Sequence, residues 1–366
     1  VRAQDNQNEH DDVRFVHFAA SSPCEEKRMN KKAILVGLAL LSAGALVAGS
    51  STQAQSGNKK IALLVKSLGN GFFEAARDGG LEAAKELKDV DVIYTGPTTA
   101  TAEGQIEQIN ALIAQRVDAI AVSANDPNAL VPALKRAADR GIKVISWDSG
   151  VAKDGRLMHL APSDTGLIGR KQIEMISKTL GGKGEIAILS ATAQATNQNA
   201  WIDVMRRTLT SDARYKDLKL VATVYGDDQS DKSYREALAL FQKYPNLKGI
   251  IAPTTVGIAA AAKAVVDQKL VGKVYVSGLG LPSEMISYVK AGAVDTFALW
   301  NPIDLGYSAV YAAYQFVTGK ATGGKAGEKV SIGRMGTTTL DADGNAVMGE
   351  PFTFDKSNID KFAKAF

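Results

Sequence analysis

Short apolar, β-branched runs alternate along the chain with longer segments whose apolar residues recur every three or four positions. Ile61–Val65, Val92–Tyr94, Ala119–Ser123 and Val144–Trp147 predict strands, and the intervening Phe72–Leu87, Gly104–Gln115 and Asn128–Arg140 predict helices. Ile106, Ile109, Leu112 and Ile113 fall on one helical face, and Gly141 stops the helix that ends at Arg140. Strands this continuously apolar, joined by helices, predict a parallel sheet covered on both faces.

After Pro162 the alternation repeats at the scale of a domain. Helices are predicted at Thr165–Leu180, Gln198–Leu209, Lys232–Lys243 and Gly257–Gln268, with strands at Ile186–Leu189, Leu220–Tyr225, Gly249–Ala252 and Val274–Ser277. A helix at Ser283–Ala291, a strand at Thr296–Trp300, a helix at Leu305–Thr318, a hairpin-like tail around Asp341–Gly344 and a last short helix follow. The fold class is α/β, with two doubly wound lobes and a tail crossing between them. Residues 58–161 plus 301–333 are expected in the first lobe, and 162–300 plus 334–366 in the second. Ligands of open α/β sheets sit at the carboxyl ends of the strands, so a cleft between the lobes is the expected site.

The N-terminal segment follows a different pattern. From Met29, Asn30-Lys31-Lys32 leads into an uncharged stretch, Ala33 to Ala54, ending in Thr52-Gln53-Ala54. A basic start, apolar middle and small-residue end predict a cleaved signal peptide over 29–54 and export to the periplasm. The stretch is long enough to be weighed as a membrane anchor, but its last third is small and polar. Residues 1–28, mixed in charge, are expected to be an extension from a start set too far upstream. Export would remove six basic residues (Arg2, Arg14, Lys27, Arg28, Lys31, Lys32) and six acidic ones (Asp5, Glu9, Asp11, Asp12, Glu25, Glu26), together with the single cysteine, Cys24.

Composition then narrows the function. The 366 residues are 45% hydrophobic and 22% charged, which excludes a disordered or collagen-like chain. Forty-three basic residues against 39 acidic ones, without clustering, give no electrostatic case for nucleic acid. Three histidines and one cysteine argue against a multi-ligand zinc site, and no metal or cofactor is expected.

The residues just past each strand carry the candidate chemistry. They are Lys66 to Phe73, Trp147-Asp148-Ser149, Ala195 to Asn199, Tyr225-Gly226-Asp227-Asp228, Pro253-Thr254-Thr255 and Trp300-Asn301-Pro302. A lysine, carboxylates, amides and flat aromatics suit a polyhydroxylated small molecule, whose hydroxyls donate to a carboxylate and accept from lysine or amide while its C–H face lies on a ring. Each residue also has a plainer reading. Lys66 could be a solvated strand-end lysine, one of Phe72 and Phe73 core, Trp147 and Trp300 packing residues, Asp227-Asp228 a simple turn, Pro253 a strand terminator and His159 structural.

At these residues the sequence resembles the periplasmic sugar-binding proteins of ABC importers, of the ribose-binding type, from about Lys60 to the C-terminus. Lys66 with Gly71-Phe72-Phe73, Tyr94-Thr95-Gly96-Pro97, Ser123-Ala124-Asn125-Asp126-Pro127, Trp147-Asp148-Ser149 and Asn197-Gln198-Asn199 are similar to the branch of rhamnose and autoinducer-2 binders. The run from Leu299 to Tyr307 resembles the rhamnose-binding members. The resemblance implies two lobes joined by a three-stranded hinge, no catalysis, a small-molecule sugar as ligand, a membrane permease as partner and a monomeric receptor. Lys66, Asp148, Gln198 and Pro253 match the ligand-holding pattern of autoinducer-2 binders. Asn197 replaces an aspartate of that pattern and Thr255 an alanine, departures that favour a sugar such as rhamnose. Ser149 stands where ribose binders carry arginine, and Gly278-Leu279-Gly280 lacks their second-lobe aspartate. The implied set is therefore Lys66 as donor, Asp148 as hydroxyl acceptor, Asn197 and Gln198 as mixed groups, Pro253 and Thr255, with Phe73, Trp300 and Asn301 as further cleft members.

Two other classes share this architecture. A ligand-responsive transcription regulator would need an N-terminal helix-turn-helix where Met29–Ala54 is apolar. A dinucleotide enzyme would need G-x-G-x-x-G after the first strand, whereas Gly69 and Gly71 lead into two phenylalanines.

Overall fold

The computed structural model describes residues 57–365. The expected extension and signal peptide lie outside the described residues. In chain order the first series is β1 (Lys59–Leu64), α1 (Gly71–Leu87), β2 (Val90–Thr95), α2 (Ala102–Ala114), β3 (Ala119–Val122), α3 (Val131–Asp139), β4 (Lys143–Trp147) and β5 (His159–Ala161). The second is α4 (Thr165–Leu180), β6 (Lys183–Ser190), α5 (Thr196–Ser211), β7 (Asp217–Tyr225), α6 (Ser230–Lys243), β8 (Leu247–Ala252), α7 (Thr255–Asp267), β9 (Tyr275–Gly278), α8 (Pro282–Ala291) and β10 (Thr296–Leu299). The chain then adds α9 (Pro302–Val317), β11 (Lys329–Ser331), β12 (Thr337–Thr339), β13 (Asn345–Val347), β14 (Phe352–Asp355) and α10 (Ile359–Phe362).

β13-β5-β4-β3-β1-β2 form a six-stranded parallel sheet and β7-β6-β8-β9 a four-stranded parallel one. β10 lies beside β9 through the bridge between Leu279 and Ala298, and β14 pairs antiparallel with β10. Both faces of the first sheet are covered, as the continuous apolar runs require. Ile61, Leu63, Ala121 and Ile145 join one core with Phe73, Ala76 and Val310, while Ala62, Leu64, Ile120 and Val122 join another with Ile109, Leu112 and Leu134. Two side chains on alternate faces, both fully buried, explain why period-2 polarity is missing from these strands.

Helices α1 and α9 approach so closely that a Cβ at Gly79 would overlap the Ile303 carbonyl oxygen, and one at Gly306 would overlap that of Ala76. Glycine is required there by backbone contact, which outweighs its poor helix propensity. Through this contact α9, although it follows the second-lobe strand β10 in sequence, is packed on the first lobe.

Three segments cross between the lobes: after β5, between β10 and α9, and between β13 and β14. Met348 N donates to Ala161 O at 3.0 Å and Gly349 N to Pro162 O at 3.2 Å, tying the first and third crossings together. The expected boundary needs correcting here. Residues 334–366 do not all belong with the second lobe, because β13 extends the first sheet beside β5 and only β14 and α10 return to the second. The turn at Asp341–Gly344 forms, with Gly344 N donating to Asp341 O at 3.1 Å, but β12 pairs with β11 and β13 with β5. Among the described residues no helix is long and apolar enough to cross a membrane.

Candidate functional site

The strand ends of both lobes meet around one cavity. The first lobe supplies Lys66, Asn70, Phe72, Phe73 and Asp148. The second supplies Asn197, Gln198, Trp201, Asp228, Pro253, Thr254, Thr255, Leu279 and Leu299, with Trp300 at the crossing. Eight of the nine residues expected from sequence line this space. Asn301 does not: its Oδ1 accepts from Ile303 N at 2.9 Å and its Nδ2 donates to Asp304 Oδ2 at 2.7 Å, so both ends of the amide are engaged in capping α9. An asparagine before Pro302 at a helix start is an N-cap signal, and that local role prevailed.

Lys66 and Asp148 are both nearly inaccessible, at 4% and 6% exposure. Asp148 directly follows β4 with φ of 56°, a left-handed conformation that aspartate tolerates, and its N–H donates to Leu160 O at 3.1 Å. That turn aims the carboxylate across the strand ends, where Oδ2 accepts from Ser123 Oγ at 2.7 Å and Oδ1 from Asn197 Nδ2 at 3.2 Å. Burial pushes the Asp148 carboxyl above its ordinary range, with Lys66 and the Ser123 hydrogen bond pulling it back. Lys66 Nζ donates to Asn197 Oδ1 at 3.0 Å. Asn197 therefore reaches from the second lobe to both the cation and the carboxylate of the first.

Gln198 is more specialised than its mixed donor and acceptor chemistry implies. Its Oε1 accepts from Ser190 Oγ and Ala191 N, each at 3.0 Å, so the amide NH2 is the group left for the cavity.

The first-lobe groups are held in place by two buried amides behind them. Gln105, fully buried on α2, donates to Val65 O at 3.0 Å and Ser123 O at 2.7 Å and accepts from Asn125 N at 2.8 Å. Asn125 Nδ2 in turn donates to Lys66 O at 2.9 Å and Thr101 O at 3.1 Å. The ends of β1 and β3 are thereby fixed relative to one another, and with them Lys66 and the Ser123 hydroxyl that orients Asp148.

Aromatic rings line the same cavity. Phe72 meets Phe73 edge-on at 5.3 Å and Trp300 at 6.2 Å, and Trp201 meets Trp300 at 5.8 Å. Both phenylalanines line the cavity, so neither is purely core. Trp147 is a packing residue: it is wholly buried, its Nε1 donates to Ala121 O at 3.2 Å, and it supports Phe73 edge-on at 5.9 Å.

Asn70, Asp228 and Thr254 stand among the strand-end candidates but outside the implied set, and Trp201, Leu279 and Leu299 were not expected on this surface; all six line it. Trp201 carried a usable signal, lying three and four residues beyond Gln198 and Asn197 on the same face of α5. Asp228 follows a strand, but its pattern is that of a turn, and a turn does form, with Asp227 and Asp228 both at φ 53°. Among the described residues no group of histidines, cysteines and carboxylates could hold a metal ion.

Two parallel-sheet lobes joined by three crossings, with a polar and aromatic cavity between them, define a type I periplasmic binding protein fold. The periplasmic binding protein domain model matches residues 61–321, and the chain belongs to that family of non-catalytic solute-binding proteins of carbohydrate ABC importers. A D-ribose/D-allose-binding protein from Pseudomonas aeruginosa is 27% identical over 284 residues, covering 73% of this chain and 85% of that protein. A solute-binding protein from Clostridium phytofermentas solved with bound L-rhamnose is 39% identical with a TM-score of 0.81, covering 85% of this chain and 100% of that one. LsrB from Clostridium saccharobutylicum in complex with AI-2 has a TM-score of 0.78 at 23% identity, covering 83% of this chain and 99% of that one, a likeness of fold.

Proposed function

We propose that the protein captures a neutral deoxyhexose, L-rhamnose, in the periplasm and delivers it to the membrane permease of an ABC importer. The observation that carries this is the mixed lining of the cavity: Lys66, Asp148, Asn197 and Asp228 bring polar groups to it, and Phe72, Phe73, Trp201, Trp300, Leu279 and Leu299 bring apolar ones. A deoxyhexose has the same division, hydroxyls over part of the ring and C–H and methyl groups over the rest. The 39% identity with the L-rhamnose-bound protein supports the choice of sugar.

In this reading Lys66 donates to ring or hydroxyl oxygens, Asp148 accepts from hydroxyls, and the Gln198 amide donates. Pro253 and Thr255 close the second-lobe side, while Phe73 and Trp300 form the platform for the C–H face. Ligand shifts the lobes toward closure only by its differential affinity for the closed form, so contacts must come from both lobes, as these do. The protein acts as a monomer, exported by the segment before residue 55 and cleaved from it.

Titration calorimetry of L-rhamnose, D-ribose, D-galactose and autoinducer-2 tests the proposal. Tight binding of L-rhamnose above the others is expected. Binding of autoinducer-2 with no heat from L-rhamnose would sink the choice of sugar.

A further inference from the structure

Asp148 was the expected hydroxyl acceptor, yet each of its carboxylate oxygens already takes a protein donor, from Ser123 and from Asn197. A second carboxylate in the same cavity is less satisfied. Asp228 Oδ1 accepts from Thr254 Oγ1, and among the described residues no donor reaches Oδ2. Asp228 is half-buried, so a ligand that shuts solvent away from Oδ2 must supply a donor in its place. No side-chain lysine, arginine or histidine of its own lobe pairs with it; the neighbouring cation, Lys232, is taken by Asp227.

Its placement is built. Gly226 N donates to Ser190 O at 2.9 Å and Asp227 N to Ala191 O at 3.0 Å, fastening the turn to the end of β6. A Cβ at Gly226 would overlap Ser233 Oγ, so the chain lies against α6 there and the two left-handed residues that follow have a fixed starting point. Asp228 also lines a second cavity, walled by Ser67–Gly71 and Thr98–Ala100 of the first lobe and Asp227–Ser230 of the second. It therefore stands where the two cavities adjoin. Burial raises its carboxyl above the ordinary range, with Thr254 and Lys66 opposing.

We propose that Asp228 is a specificity-determining ligand residue, accepting through Oδ2 from one hydroxyl of a neutral sugar, the one that points toward the second cavity. This rests on the sugar-binding reading above and adds a selection rule to it: sugars lacking or inverting that one hydroxyl are rejected by the second lobe, independently of Lys66 and Asp148.

The test is a double-mutant cycle between protein and ligand. Wild type and Asp228→Asn are titrated with L-rhamnose and its 2-, 3- and 4-deoxy analogues. Asparagine keeps the size and tolerates the left-handed backbone, and unfolding curves verify that the variant folds. Asp228→Asn is expected to bind L-rhamnose about 10- to 150-fold more weakly, as befits a lost charge-assisted hydrogen bond. One deoxy analogue, weakened in wild type, should lose nothing further in the variant. Affinity for L-rhamnose within twofold of wild type, or an undiminished penalty for every analogue in the variant, overturns the proposal. Absence of L-rhamnose binding by the wild type itself would instead overturn the reading beneath it.

Discussion

Replacing Gln105 with leucine isolates the scaffold behind the cavity from the cavity itself. Leucine is close to glutamine in volume and suits a helix, so the substitution opens little space and does not disturb α2. It leaves three fully buried backbone groups without their partner: the carbonyls of Val65 and Ser123 and the N–H of Asn125. A buried polar group left unsatisfied costs about 1–3 kcal/mol, so the three together amount to about 3–9 kcal/mol. Carbonyls can shift toward other donors and water can enter from the strand ends, so the expected loss is near the lower bound, about 3–5 kcal/mol. Against a typical total of about 5–15 kcal/mol this is a large fraction. Ligand affinity should also fall by about tenfold or more, because Lys66 loses its fixed backbone and Ser123 its register with Asp148. Urea unfolding followed by tryptophan fluorescence measures the first effect and calorimetry the second. A stability loss under 1 kcal/mol would refute the clamp, and normal affinity in a destabilised variant would refute its role in placing the site.

Asp148→Asn should abolish tight sugar binding while raising stability at neutral pH. Because the native carboxyl is raised above its unfolded value, the ionised form costs stability at high pH and the cost fades as pH falls toward the ordinary carboxylate range; a variant equally or less stable at pH 7 contradicts this. His159, bonded to Ser146 at 3.0 Å and lowered to about 3 chiefly by burial, should stay neutral in the folded protein. Its unfolded form takes up a proton below about pH 6.5, so its contribution is complete above that and is lost on acidification; at pH 4.5 His159→Gln should spare about 3 kcal/mol of the acid loss, and equal acid sensitivity of the two proteins would exclude the assignment. Asn301→Ala should cost about 0.5–2 kcal/mol of stability, the loss of an N-cap, with sugar affinity unchanged; a tenfold fall in affinity would return Asn301 to the site. Gly79→Ala should lower stability by about 1–3 kcal/mol or more through overpacking against α9, and a melting temperature equal to wild type would show that the two helices can separate without penalty.

What was legible in the sequence is what local chemistry decides. The span of α4 matched residue for residue, because Asp164 caps it through a 2.7 Å bond from Leu167 N and Gly181 ends it in the left-handed region. Helix α3 starts later than its periodicity indicates, since Asp126 Oδ1 takes the N–H groups of Asn128 and Ala129, each at 2.8 Å, and holds them in a turn. Strands β5 and β13 are three residues each and exist only because β5 flanks β4 and β13 flanks β5, information that no window of sequence contains. The site divides the same way. Lys66, Asp148 and Pro253, one or two places past a strand, were found because the fold aims them, whereas only the folded turn shows that Asp228 of the Asp227-Asp228 pair lines the cavity. Asn301 was assigned to the cleft because its position past β10 carries the same strand-end signal, and only the packing of α9 shows that its amide is already used.

Asn197 explains why a departure of one atom type matters here. Its oxygen accepts from Lys66 and from the N–H of Gln198, at 3.0 and 2.9 Å, while its nitrogen donates to Asp148 at 3.2 Å. A carboxylate in that place could keep the first two bonds but would set an acceptor 3.2 Å from an Asp148 oxygen, a repulsion that closing the lobes would have to overcome. An amide satisfies both neighbours, so the second lobe can approach without a donor from outside. The ligand must then offer more to Lys66 and Asp148 than Asn197 does, and a molecule with hydroxyls on adjacent carbons has both the donors and the acceptors to replace it. Asn197→Asp should accordingly make closure depend on protonation or on a ligand that bridges the two carboxylates. Small-angle scattering without ligand would then show wild type more compact than the variant at pH 7 and the two alike at pH 4, and a variant as compact as wild type at pH 7 would dispose of the argument.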